Sequence, residues 1–97
     1  MIVNGYAIDY EYSGDGTLLI RVRIPSIHGP MDMKEYNGQP VRNYTRTEDL
    51  PLYPSLLLPH LPLEGDVVAL ISTSSGKSDF IVIGLTGGSY YKLAENR

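Results

Sequence analysis

Apolar and polar positions alternate in two early stretches of the chain. From Tyr6 to Tyr12, Tyr6, Ile8, Tyr10 and Tyr12 share one parity, while Ala7, Asp9 and Glu11 share the other. A period of two in aromatic and β-branched residues predicts a half-buried strand. Ser13, Gly14, Asp15 and Gly16 then form a turn cluster, because glycine takes positive φ at no steric cost. From Thr17 to Ile24 the alternation resumes, with Leu18, Ile20, Val22 and Ile24 on one face and Leu19, Arg21 and Arg23 on the other. The two segments predict a hairpin with one wet side, ended by Pro25, which has no N–H to give to a ladder.

Periodicity disappears between Ser26 and Asp49, a segment rich in Gly, Pro, Asn and charge. So long an irregular stretch reads as a binding loop that orders against a neighbour, with room for a helix of two turns at most over Met31–Asn37. The next segment, Leu50 to Pro62, holds four prolines among six leucines and Tyr53. That proline density excludes a long helix and predicts a short edge strand followed by extended chain. Glu64, Gly65 and Asp66 make a turn into Val67–Ser72, and Asp79–Leu85 follows across a polar loop at Thr73–Ser78. Both strands are apolar on both faces, as in a sheet that is covered or curled into a barrel. The expected fold is all-β: a small five-stranded antiparallel barrel, closed or partly open, with a long loop between its second and third strands. It forms one domain over residues 1–97, with a core over about 6–88 and a polar tail from Ser89 to Arg97.

Composition narrows the classes of function. A chain of 97 residues without cysteine has neither disulfides nor a thiolate metal site, and buries roughly 60–65% of its unfolded surface. The N-terminal stretch lacks the pattern of a signal peptide, and no apolar run approaches the roughly 18 residues of a membrane span, so neither a leader nor stable membrane insertion is expected. The net charge of −3 disfavours nucleic acid, whose phosphates draw on clustered cations. The charge is layered: Asp9, Glu11 and Asp15 precede a basic middle of Arg21, Arg23, Lys34, Arg42 and Arg46, and an acidic remainder follows.

The candidate chemistry is thin. Ser74-Ser75-Gly76-Lys77-Ser78 resembles the end of a phosphate-binding loop, but Ile71 stands where the first glycine is needed and the loop joins two strands. His28 and His60 would need Asp32 or Glu64 to hold a metal, with nothing to fix the geometry, and read as ordinary loop histidines. No serine or threonine lies in a nucleophile motif. Asp9 and Glu11 stand two residues apart on one strand, not opposed across a cleft. No catalytic residue, cofactor or metal is therefore expected. Eight tyrosines against one phenylalanine and no tryptophan suit protein interfaces, where the ring is buried and the hydroxyl stays paired. Tyr6, Tyr10 and Tyr12 with Arg21 and Arg23 also offer a stacking surface for single-stranded nucleic acid, the alternative reading.

The order of short motifs is more specific. Arg21-Val22-Arg23-Ile24 with Gly29, then Asp49-Leu50-Pro51, Pro62 to Val67 (PLEGDV) and Ile81-Val82-Ile83-Gly84 together resemble the oligonucleotide/oligosaccharide-binding (OB) fold domain of contractile-tail phage baseplate hub and spike proteins, shared with type VI secretion spikes. The resemblance covers about residues 6–88. It implies a virion structural protein of the tail baseplate, assembled in the host cytoplasm. It further implies a homotrimer that joins the tail tube and hub to a central spike, with hub and spike proteins as partners. Family members usually continue into a lysozyme or β-helical spike domain, whereas this chain ends shortly after Gly88, so an adaptor that recruits a separate spike is expected. The residues expected at its protein interfaces are Met31, Tyr36, Arg42, Tyr44, Tyr53, Leu57, Tyr90 and Tyr91.

Overall fold

The structure, a computed structural model, describes residues 2–73 and 79–85. Its strands are β1 (Ile2–Tyr12), β2 (Leu18–Arg23), β3 (Glu35–Tyr36), β4 (Gln39–Pro40), β5 (Leu52–Pro54), β6 (Val67–Ser72) and β7 (Phe80–Leu85), with a one-turn helix α1 (Pro25–His28) after β2. Five of the strands form one antiparallel sheet in the order β5-β2-β1-β6-β7. The two edges of this sheet approach each other at a single parallel bridge, Ser55 to Val82, where the Leu56 N–H donates to the Val82 carbonyl at 2.9 Å. The sheet is thus curled without a continuous closing ladder. The loop expected between the second and third strands is present, and it contains the β3–β4 hairpin and a 3₁₀ turn at Thr47–Asp49.

The core lies on the concave side. Ile20, Val22, Ile24, Val68, Leu70 and Val82 are wholly buried, joined by Ala7, Tyr53 and Phe80. Each buried aliphatic side chain contributes about 1.5–3 kcal/mol. The rings of Tyr53 and Phe80 meet edge to face at 5.9 Å, a favoured arrangement of two quadrupoles.

β1 departs from the expected alternation. It begins at Ile2 instead of Tyr6, and it carries a bulge: Ala7 faces Val22 but Asp9 faces Arg21, which leaves Ile8 as the extra residue. A bulge reverses the parity of side chains beyond it. Before it the inward positions are Gly5 and Ala7, so Tyr6 faces out at 45% exposure. After it Tyr10 and Tyr12 stand opposite Ile20 and Leu18 on the inner parity, but at the open end of the sheet, where both remain exposed. Small inward residues are required here because the chain passes close to β2. A Cβ at Gly5 would collide with the Val22 side chain and stand 2.9 Å from the Arg23 carbonyl oxygen.

The helix expected as an option over Met31–Asn37 is absent. Asn37 and Gly38, both at positive φ, instead turn the short β3–β4 hairpin, the backbone that an Asn-Gly pair favours. Within the chain the loop is tied to β2 by Arg23.

Candidate interaction surfaces

Arg21 and Arg23 project from the outer face of β2, opposite the core residues Ile20 and Val22. Each is used inside the molecule. The Arg21 guanidinium donates to the Leu50 carbonyl at 2.5 Å and pairs with Asp9 at 3.1 Å. Arg23 is only 4% exposed. Its guanidinium donates to the carbonyls of His28, Gly29 and Thr45 and to the Thr47 hydroxyl, at 2.8–3.3 Å. A buried charge persists only when fully hydrogen-bonded, and here the carbonyls of one loop perform that service. The motifs RVRI and DLP are therefore the two ends of an internal clasp.

His28 completes it. The Ile24 N–H donates to its Nδ1 at 3.0 Å, so the neutral ring carries its proton on Nε2, 3.4 Å from the Tyr53 hydroxyl. Burial, and after it the neighbouring Arg23 charge, push the His28 imidazole below its ordinary pKa. His28 is thus a core residue, not the surface or loop histidine expected, and both its nitrogens are engaged. Among the described residues no group of three or more His, Asp or Glu could hold a metal ion. Gly29, at φ +85°, lies against the backbone of Arg42 and Asn43, where a Cβ would stand 2.9–3.0 Å from two carbonyl oxygens.

The PLEGDV motif is a turn of the same structural kind. Gly65 takes φ +91°, and the buried Asp66 carboxylate accepts the Leu63 N–H at 2.9 Å. The backbone then exchanges hydrogen bonds with Ala7 on both sides, Gly65 N–H to Ala7 O and Ala7 N–H to Asp66 O.

Besides a depression of about 360 Å³ between Leu52 and Ile81, two others mark the described surface. A polar cleft of about 630 Å³ is lined by Asp9, Arg21, Asp32, Tyr44, Arg46 and Glu48. Its cations are neutralised in place, Arg21 by Asp9 and Arg46 by Glu48 at 2.7 Å and Asp49 at 3.1 Å. Such a cleft offers a phosphate backbone little net attraction. An apolar groove of about 400 Å³ opens at the other end of β2, between Tyr12, Thr17 and Leu18 on one side and Leu56, Leu57, Leu58 and Leu61 on the other. Leu57 is fully exposed and Leu56 and Tyr12 more than half exposed. Contiguous exposed apolar side chains mark an interaction surface.

The expected interface residues separate in the fold. Tyr36 and Arg42 are exposed at the β3–β4 hairpin, Met31 is half-buried near its base, and Tyr44 is half-buried in the polar cleft. Leu57 lines the apolar groove. Tyr53, at 3% exposure, is a core residue between His28 and Phe80 and presents no surface, a correction of the sequence expectation. Tyr90 and Tyr91 lie outside the described residues, as do the tail from Ser89 and the Ser74–Ser78 loop. Met33, Leu56 and Leu61 belong to the exposed apolar surface outside the expected interface set, and they are joined there by Tyr12, which the sequence offers only to the nucleic-acid alternative. The run Leu56-Leu57-Leu58 between prolines was their signal, since three consecutive leucines cannot all face one core. No helix among the described residues is long and apolar enough to cross a membrane.

No protein-family model, curated protein or solved structure matches this chain.

Proposed function

We propose that this chain is a structural component of a contractile-tail baseplate, an OB-type adaptor domain that oligomerises and connects the tail tube and hub to the central spike. One observation carries the reading. The motifs on which the resemblance rests coincide with the junctions of a five-stranded curled sheet: RVRI and DLP in the arginine clasp, PLEGDV at the turn into β6, and IVIG in β7. Sequence elements spent on holding a scaffold together, beside an exposed apolar groove, suit a protein whose work is assembly. As an assembly unit it forms a trimer in the virion tail, with hub and spike proteins as partners.

The single-strand nucleic-acid alternative loses its cations to the clasp, and Glu11 and Asp15 flank the exposed Tyr10 and Tyr12. The experiment is co-sedimentation of the purified chain with purified hub and spike proteins of a contractile tail. The expected result is a stable complex with at least one of them. Sedimentation as a free species beside both refutes the reading.

A further inference from the structure

One edge of β1 is open beyond its bulge. β6 accompanies β1 only from Ile2 to Tyr6, after which the hydrogen bonds of Ala7 with Gly65 and Asp66 close that ladder. From Asp9 to Tyr12 only β2 pairs with β1 among the described residues. The register fixes which backbone groups are spent. The Leu18 carbonyl accepts the Ser55 N–H and the Thr17 carbonyl accepts the Ser13 N–H, so the even-numbered residues of β2 turn their backbone groups to β5 and the odd-numbered ones to β1. Pro54, which has no N–H to give, accordingly stands opposite Leu19. Asp9 and Glu11, opposite Arg21 and Leu19, therefore bond to β2. Tyr10 and Tyr12 turn their N–H and carbonyl groups the other way, about 7 Å apart along a free edge.

A free edge is a template for another strand unless charge or proline defends it. The side chains at these two positions are exposed tyrosines, whose rings meet edge to face at 6.2 Å. They lie on the inner parity, and Tyr12 lines the apolar groove together with Leu57 and His60. Glu11, between them, has the opposite parity, is exposed and forms no ion pair among the described residues, whereas Asp9 is neutralised by Arg21. This acid selects the occupant. In the antiparallel register that bonds Tyr10 of one copy to Tyr12 of another, Glu11 faces Glu11, and like charges directly opposite each other are destabilising. A lysine or arginine at that place is stabilising.

We propose that the edge at Tyr10 and Tyr12 binds an extended segment of a partner protein that alternates apolar and basic side chains. Its apolar side chains lie beside Tyr10 and Tyr12 at the mouth of the groove, and a lysine or arginine lies beside Glu11. Main-chain hydrogen bonds supply the affinity of such strand addition, and the alternate side chains its specificity. The inference goes beyond the baseplate reading and stands on the strand register, whichever partner presents the segment.

A synthetic peptide alternating valine and lysine is the probe, with a peptide alternating valine and glutamate as its control, both followed by fluorescence anisotropy against the whole chain. The lysine peptide is expected to bind, more weakly as salt rises, and the glutamate peptide to bind at least about tenfold less tightly. Tyr12→Pro gives up an N–H that no ladder uses, so it keeps its thermal midpoint and loses about tenfold in affinity. Glu11→Lys exchanges the preference between the two peptides, and it carries the test if the proline variant fails to fold. In hydrogen exchange the bound lysine peptide slows the amides of Tyr10 and Tyr12. A lysine peptide that does not bind at millimolar concentration, a preference that Glu11→Lys leaves unchanged, or binding that does not slow those two amides overturns the proposal. So do amides of Tyr10 and Tyr12 that are already slow in the free chain, which assign the edge to a second copy if the slowing grows with protein concentration and to the chain's own tail if it does not. Binding to hub and spike is read separately by co-sedimentation, so either reading can fail without the other.

Discussion

The guanidinium of Arg23 donates to the backbone carbonyl of Thr45 at 2.8 Å, across 22 residues of chain. This hydrogen bond and the three beside it convert the long loop from an appendage into a layer over the outer face of β2. Charge-assisted bonds contribute more than neutral ones, and carbonyls left without a donor in a covered site are costly. Replacing Arg23 by Ala is expected to destabilise the domain by roughly 3 kcal/mol. Urea unfolding measures the loss, and hydrogen exchange should show amides of the loop opening before those of β6.

His28 gives the stability a pH dependence near neutrality. Its imidazole is held below the ordinary value of 6.5 by burial first and by Arg23 second. The unfolded chain then binds a proton that the folded chain refuses, so the contribution is complete above about 6.5 and is lost as pH falls from there toward the folded value. The thermal midpoint should drop between about pH 7.5 and 5.5 in the wild-type chain, and His28→Gln should flatten that slope. The exposed Asp15 acts in a separate window. Hydrogen bonds from Ser13 and then Thr17 lower its pKa to about 2, so its contribution is lost only in strong acid.

Gly29 and Gly38 both take positive φ, but they differ in their surroundings. A Cβ at Gly38 meets open space, while one at Gly29 meets the carbonyl oxygens of Arg42 and Asn43. Gly38→Ala is expected to cost about 1 kcal/mol of left-handed strain, and Gly29→Ala about 2–3 kcal/mol because the loop backbone must also move. Equal midpoints for the two variants in urea would show that the Gly29 approach is unimportant.

These expectations separate what the chain declared openly from what it concealed. The alternation Leu18, Ile20, Val22, Ile24 gave the inner face of β2 directly, because nothing interrupts its period. The parity of β1 was hidden by the bulge at Ile8, which no residue type announces, and by Gly5 and Ala7, whose smallness is a response to a neighbouring strand. The arginines of RVRI looked like surface charge by pattern alone. Only the return of the chain past Thr45 and Leu50, a relation between distant segments, shows that they are spent inside. Tyr53 was misplaced for the same reason, since its pocket is assembled from His28 and Phe80. The apolar groove was half legible, in the leucine run but not in its meeting with Tyr12 and Leu18.

The engagement of Arg21 with Asp9 and Leu50, and of Arg23 with the loop carbonyls, has a consequence for oligonucleotides. A labelled single strand passed over the immobilised protein at low ionic strength should show no retention, and Arg21→Gln should change nothing. Retention that declines steeply with salt would instead restore the nucleic-acid reading.

The assignment to a tail tip is tested most directly by the location of the protein in an assembled particle. Contractile tails purified with a tagged copy of the chain, imaged by cryo-electron microscopy, are expected to show the five-stranded domain as a ring of identical copies between the end of the tube and the spike. Purified tails that lack the chain, or that carry it anywhere other than the tube tip, would contradict the assignment.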